Sequence, residues 1–121
     1  MKNTETLKMN YEFRRIYNKG RYFAGKFLVL YALSNNKNFK RLGITVSKKS
    51  GKSVRRNRIR RLIRENYRLM EDRIKDGFDM VFVVRSTTEM PDFRDIRDEM
   101  VYLLKKLDMI SKESTDCLQE S

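Results

Sequence analysis

The 121-residue sequence has no histidine and no tryptophan, and only one cysteine and one proline. Without histidine there is no Ser–His or Cys–His nucleophile pair and no zinc site built on imidazole. The single thiol, Cys117, rules out an internal disulfide and points to a reducing compartment. It sits in a polar stretch with no base nearby and reads as an incidental surface thiol. The longest uninterrupted apolar run, FLVLYAL (27–33), is far short of the ~20 residues that span a bilayer. The opening MKNTETLKMN lacks the apolar centre of a signal peptide. The expectation is a soluble, cytoplasmic protein without membrane association.

Acids are missing from half of the chain: no Asp or Glu occurs between Glu12 and Glu65. Residues 1–70 hold 20 Lys/Arg against 3 acids, a net +17, while residues 71–121 hold 8 against 13, a net −5. Such an uneven field raises encounter rates with polyanions and says little about fold. The concentration peaks in SVRRNRIRRLIRENYR (53–68), where seven of sixteen residues are arginine. Neighbouring guanidinium groups repel, and a merely solvated helix would mix signs at i, i+4. A partner dense in negative charge is the better account, and arginine in place of lysine favours forked phosphate contacts and stacking on bases.

Apolar residues at 40% and a length of 121 suit one domain with a modest core. Phe13, Ile16 and Tyr17 are spaced as on one helix face, with Asn10 as the expected N-cap and Gly20 just past the end. RYF (21–23) reads as a brief strand. KFLVLYAL (26–33) and RLGITVS (41–47) read as strands joined through the turn-like SNNKN, most simply as an antiparallel hairpin. In the arginine segment Ile59, Leu62, Ile63, Tyr67, Met70 and Ile74 share one helical face. Asn57, Arg60, Arg61, Arg64 and Arg68 project to the opposite side, and Val54 fits neither, which predicts an irregular first turn. DGFD (76–79) ends that helix, and MVFVVR (80–85) has the continuous apolar character of a buried strand. Pro91 is expected to open a last helix carrying Phe93, Ile96, Met100, Leu103, Leu104 and Leu107 on one face. The domain is placed at 1–110, followed by a polar, disordered tail at 111–121.

Two apparent catalytic signals fail on chemistry. SGKS (50–53) resembles the end of a phosphate-binding loop, but Val46 stands where that loop needs glycine. Asp92, Asp95, Asp98 and Glu99 lie near a helix start, where acids match the helix dipole, whereas carboxylate metal sites draw ligands from several elements. No catalytic carboxylate pair stands out. Phe13, Tyr17, Phe27 and Tyr31 supply rings in or near the first helix and strand, and exposed rings stack on unpaired bases. Phe27 reads as core; composition leaves Phe13, Tyr17 and Tyr31 open between core and groove.

RLGITVSKKSGKSVRRNRIRRLIRENYR (41–68) resembles the signature of the protein subunit of bacterial ribonuclease P. The pattern is met by Arg41, Gly43, Ser47, Lys48, Lys49, Gly51, Arg56, Asn57, Arg58, Arg60 and Arg61, with Ser53 in place of the usual alanine, where it is able to cap the helix. NYEFRRIYNKG and KFLVLYAL extend the likeness, which covers roughly residues 7–107. The resemblance implies an α+β fold of the ribosomal-protein-S5-domain-2 type, helix–three strands–helix–strand–helix, with a left-handed βαβ crossover carrying the basic helix. It implies 5′ maturation of transfer RNA by a large catalytic RNA, with magnesium held mainly by RNA and no cofactor or catalytic residue in the protein. The implied partners are that RNA and the single-stranded 5′ leader of precursor tRNA. Carried onto this chain, the leader role falls to Phe13, Tyr17 and Tyr31. Lys48, Lys49 and the Arg56–Asn57–Arg58 segment match the family's basic contacts, and the basic run adds Lys52, Arg60, Arg61, Arg64 and Arg68 as contacts to the catalytic RNA. A ribosomal or other RNA-scaffold protein would share the charge and fold class, and a DNA-binding factor would need a paired motif to gain site length.

Overall fold

Among the described residues the chain runs β1 (Thr4–Thr6), α1 (Asn10–Lys19), β2 (Arg21–Ala24), β3 (Leu28–Ser34), β4 (Lys40–Val46), α2 (Ser53–Met70), β5 (Phe78–Val84) and α3 (Phe93–Lys106). These belong to a computed structural model that describes residues 3–86 and 89–110. The expected tail, with Cys117, lies outside them. The result is one α+β domain whose five strands lie in the order β1-β4-β5-β3-β2. β1 and β5 run parallel to β4, while β3 is antiparallel to both β5 and β2.

The expected β3–β4 hairpin does not form, because β5 lies between the two strands. The reason is in β5 itself. Met80, Phe82 and Val84 face one apolar cluster and Val81 faces the other, so both sides of the strand need cover. A central position supplies it. The loop after β3 wraps the start of β5 instead of turning back: Asn35 N–H donates to Gly77 O at 2.9 Å, and Gly77 N–H to Phe39 O at 3.2 Å. Asn36 takes the left-handed conformation (φ 58°) that the bend requires.

Side-chain alternation then divides the molecule. Leu28 and Leu30 of β3, Leu42 and Val46 of β4, and Met80 and Phe82 of β5 pack under α2 and α3. On the reverse face Val81 packs with Leu7 and Ile16, joined by Phe13, Tyr17, Tyr31, Leu33 and Val83, so α1 crosses that side. α2 buries Ile59, Ile63, Asn66, Tyr67 and Met70, close to the expected face.

Several element ends differ from expectation. Met9, not Asn10, is the N-cap of α1, and its N–H donates to the Glu12 carboxylate at 3.2 Å. α2 starts as regular helix at Ser53 with Lys52 as N-cap, leaving Val54 simply exposed. Ser53 is therefore the first helical residue and not the cap. Ile74 lies beyond α2, bridged to Ile110, yet still enters the same core. Asp92 caps α3, accepting from Asp95 N–H at 2.8 Å, so Pro91 precedes the helix instead of opening it. Asp92 and Asp95 thus form a reciprocal cap. Glu99 accepts from the backbone N–H groups of Lys26, Phe27 and Leu28. These carboxylates hold helix and loop. The β1 strand, TET, was not expected; it is short and polar, and its ladder is supplied by β4. Among the described residues no helix is long and apolar enough to cross a membrane.

Candidate functional site

The two candidate surfaces lie on opposite sides of the sheet. On the first, burial of Ile59, Ile63 and Tyr67 at helical spacing turns Asn57, Arg61, Arg64 and Arg68 outward. Asn57, Arg58, Arg61, Arg64 and Arg68 are exposed, and the four arginines make no salt bridge among the described residues. Arg60 is half-buried and donates to Asn57 Oδ1 at 3.1 Å. Arg56 is also half-buried, and its enclosed Nε has no hydrogen-bond partner among the described residues. Arg55, at the start of the helix, donates to the Glu89 carbonyl at 2.9 Å.

Lys48 and Lys49 lie in a short 3-10 turn (Lys48–Ser50) that follows β4, and with Lys52 they are exposed. Gly51 closes the turn at φ 119°, a conformation that side chains disfavour. The basic rim therefore begins where β4 ends and continues along α2. Nine of the ten residues assigned to RNA from the sequence sit on this turn or helix and Lys52 caps the helix between them; eight are exposed, and Arg56 and Arg60 are half-buried.

The second surface is a row of rings. Phe13 and Tyr17, one helical turn apart on α1, have centroids 6.5 Å apart. Tyr17 meets Tyr31 of β3 edge-on at 5.0 Å, and Tyr31 stacks on Tyr22 of β2 at 5.4 Å. The Tyr17 hydroxyl lies 2.9 Å from Thr45 Oγ1, which ties the ring to β4. The structure thus brings together all three rings singled out in the sequence, each half-buried. Phe27 is buried in the main core, as expected.

Two signature residues account for the position of α1. A Cβ at Gly43 would lie 2.5 Å from the Phe13 ring, so only glycine lets that ring rest on the sheet. Arg41 donates through Nε and Nη2 to the two oxygens of Asp79 at 2.8 and 2.7 Å, and through Nη1 to Glu12. Asn35 adds a 2.9 Å hydrogen bond to Asp79. Burial alone would raise the Asp79 carboxyl; hydrogen bonds from Arg41 and Asn35 and the charges of Arg41 and Arg15 outweigh it and leave it below the usual carboxylate range. Glu12 is shifted the same way: burial is outweighed by the Met9 N–H and by Arg41. Hydrogen bonds donated to Asp79 push the Arg41 guanidinium still higher.

A second anchor holds β1 near the end of α2. Thr4 Oγ1 bonds the Tyr67 hydroxyl at 2.7 Å and also donates to Glu71, while Lys40 pairs with Asp76 at 2.6 Å. Burial raises the Tyr67 hydroxyl, so it stays protonated. Sequence reading gave Arg41 and Gly43 no task and passed over Glu12, Asp79, Thr45 and Tyr22. Nothing local marked Tyr22: its pairing with Tyr31 comes from the β2–β3 register.

Residues 1–108 match the family model for Ribonuclease P. The chain is 43% identical over 111 residues to the ribonuclease P protein component of Alkaliphilus oremlandii, covering 92% of this chain and 97% of the relative. It is 46% identical over 101 residues to that of Clostridium botulinum, covering 83% and 91%. Among solved structures it is similar to the Staphylococcus aureus RNase P protein, with a TM-score of 0.80, 34% identity, and 88% and 97% of the two chains covered. The Thermotoga maritima RNase P protein gives a TM-score of 0.76 at 33% identity, covering 84% and 96%.

Proposed function

The chain belongs to the ribonuclease P protein family, and from that premise we propose that it serves transfer-RNA maturation through two separate RNA-binding surfaces. The basic face of α2 and the Lys48–Ser50 turn binds the catalytic RNA subunit. The aromatic row beneath α1 receives the single-stranded 5′ leader of precursor tRNA. The observation that supports this division is the sheet itself: α2 covers one side and the rings occupy the other.

On this reading the RNA subunit carries out the endonucleolytic hydrolysis and the protein supplies no reacting group. Six carboxylates around the two surfaces are already engaged and do not fit a magnesium site. Glu12 and Asp79 are held by Arg41, Asp76 by Lys40, Asp92 and Asp95 by the α3 cap, and Glu99 by backbone N–H groups. Magnesium in the complex is therefore assigned mainly to RNA. The protein contributes by neutralising phosphates with arginines that make no salt bridge among the described residues, which lowers the demand for mobile cations.

The test is reconstitution with the cognate RNA subunit. Protein rigorously freed of RNA should leave precursor tRNA intact. At low magnesium, where the RNA alone is slow, adding the protein should restore 5′ cleavage. Cleavage by the protein alone, or no rescue at low magnesium, contradicts the proposal.

A further inference from the structure

Tyr22 is outside the set of rings that the sequence pointed to, yet its geometry makes it the open end of the row. It lies opposite Tyr31 in the β2–β3 register, and the two rings stack at 5.4 Å with 28° between their planes. On the β5 side, Tyr31 meets Tyr17, which is fastened to Thr45 on β4, across β5. Tyr31 is thereby held between two rings and half-buried. Tyr22 is 64% exposed, on β2, which forms the edge of the sheet among the described residues. Phe23, the next residue, turns to the other face and meets Tyr102 and the Lys106 ammonium.

We propose that Tyr22 is the outer stacking platform of the leader site, on which one base of an unpaired RNA strand lies, with Tyr31 behind it as a support. The inference rests on the leader-cleft reading above and adds a contact to it. A phenol ring already stacked on a second ring is fixed in orientation, so little freedom is lost when a base covers its outer side. Stacking of this kind accepts any base, because each has a π-face. Of the basic residues around β2, Lys19 at the end of α1 is exposed and suits a phosphate chain, whereas Arg21 donates to the Leu107 carbonyl at 3.0 Å and Lys26 pairs with Glu89 at 3.1 Å. β2 is exposed along its whole length, which leaves the outer side of the Tyr22 ring open to a base among the described residues.

The experiment uses the full chain bound to its catalytic RNA and precursor tRNAs with leaders of increasing length, with 2-aminopurine placed singly along the leader. Tyr22→Ala and Tyr22→Leu are expected to lower affinity for long-leader precursor on the order of tenfold to a hundredfold, as for one lost base stack. Affinity for mature tRNA should hold, and Tyr22→Phe should keep the full effect. One leader position, quenched in the unmutated complex, should brighten in the Ala and Leu variants but not in Phe. If Leu binds as well as Phe, the side chain only props Tyr31 and the proposal is overturned. An equal loss for mature tRNA overturns it as well. If the unmutated complex shows no preference for a leader at all, the leader-cleft reading falls with it. A preference untouched by Tyr22→Leu removes Tyr22 alone.

Discussion

Arg41 on β4 grips Asp79 on the neighbouring β5 with two parallel hydrogen bonds, at 2.8 and 2.7 Å, and reaches across to Glu12 on α1 with its remaining nitrogen. One guanidinium thereby joins two central strands to the helix that carries Phe13 and Tyr17. Its planar fork matches the carboxylate, which lysine cannot reproduce.

Asp79→Asn should therefore destabilise the fold by about 3 kcal/mol, because Asp79 is only 3% exposed and the Arg41 charge loses its main partner. Urea unfolding at neutral pH measures this. A change below about 0.5 kcal/mol would show that the pair contributes little.

The same pair sets an acid limit. Asp79 and Glu12 have folded pKa values below their unfolded ones, so their contribution is complete above an ordinary carboxylate pKa of about 4 and is lost as pH falls through the lower, folded values. Stability should decline on acidification below about pH 4, and the decline should be shallower in Asp79→Asn. Parallel curves for the two proteins would contradict the assignment.

Gly43→Ala tests the seating of α1. The added methyl would sit 2.5 Å from the Phe13 ring and 3.2 Å from Leu7, so the ring, or the helix that carries it, must shift. Overpacking of this kind costs about 1–3 kcal/mol. Leader-dependent affinity should fall while affinity for the catalytic RNA holds, since the methyl and the arginines lie on opposite faces of the sheet. Equal loss of both would mean that the two surfaces are coupled.

Replacing Arg61, Arg64 and Arg68 with alanine should leave the circular dichroism of the domain intact, because all three are exposed. Affinity for the catalytic RNA should drop, and the slope of log affinity against log salt should fall by roughly 0.7–0.9 per lost phosphate contact. An unchanged slope removes this face from the interface.

The helical face of α2 was legible because Ile59, Ile63, Tyr67 and Met70 repeat at one period, and the same period fixes which arginines point outward. Strand order was not legible. The run MVFVV declares a strand covered on both sides, but nothing local says that it separates β3 from β4; long-range pairing decides that. β1 was invisible because TET has no apolar alternation and forms only against β4. The aromatic row was half legible. Helical spacing relates Phe13 to Tyr17, but the contact of Tyr31 with both Tyr17 and Tyr22 depends on how α1 and β2 flank β3. Arg41 and Gly43 were readable as signature residues; their physical tasks needed Asp79 and Phe13 in three dimensions.

The central claim is that leader recognition and assembly with the catalytic RNA reside on different faces of the sheet. It is tested most directly by measuring the affinity of the reconstituted complex for precursor tRNA as leader length increases from zero, in the unmutated protein and in Tyr17→Ala. The account predicts that affinity rises with leader length in the unmutated complex. Tyr17→Ala should lose roughly 1–3 kcal/mol of that gain while binding mature tRNA and the catalytic RNA normally. A Tyr17→Ala complex that binds precursor and mature tRNA with the same proportional loss, or that fails to assemble with the RNA subunit, would contradict it.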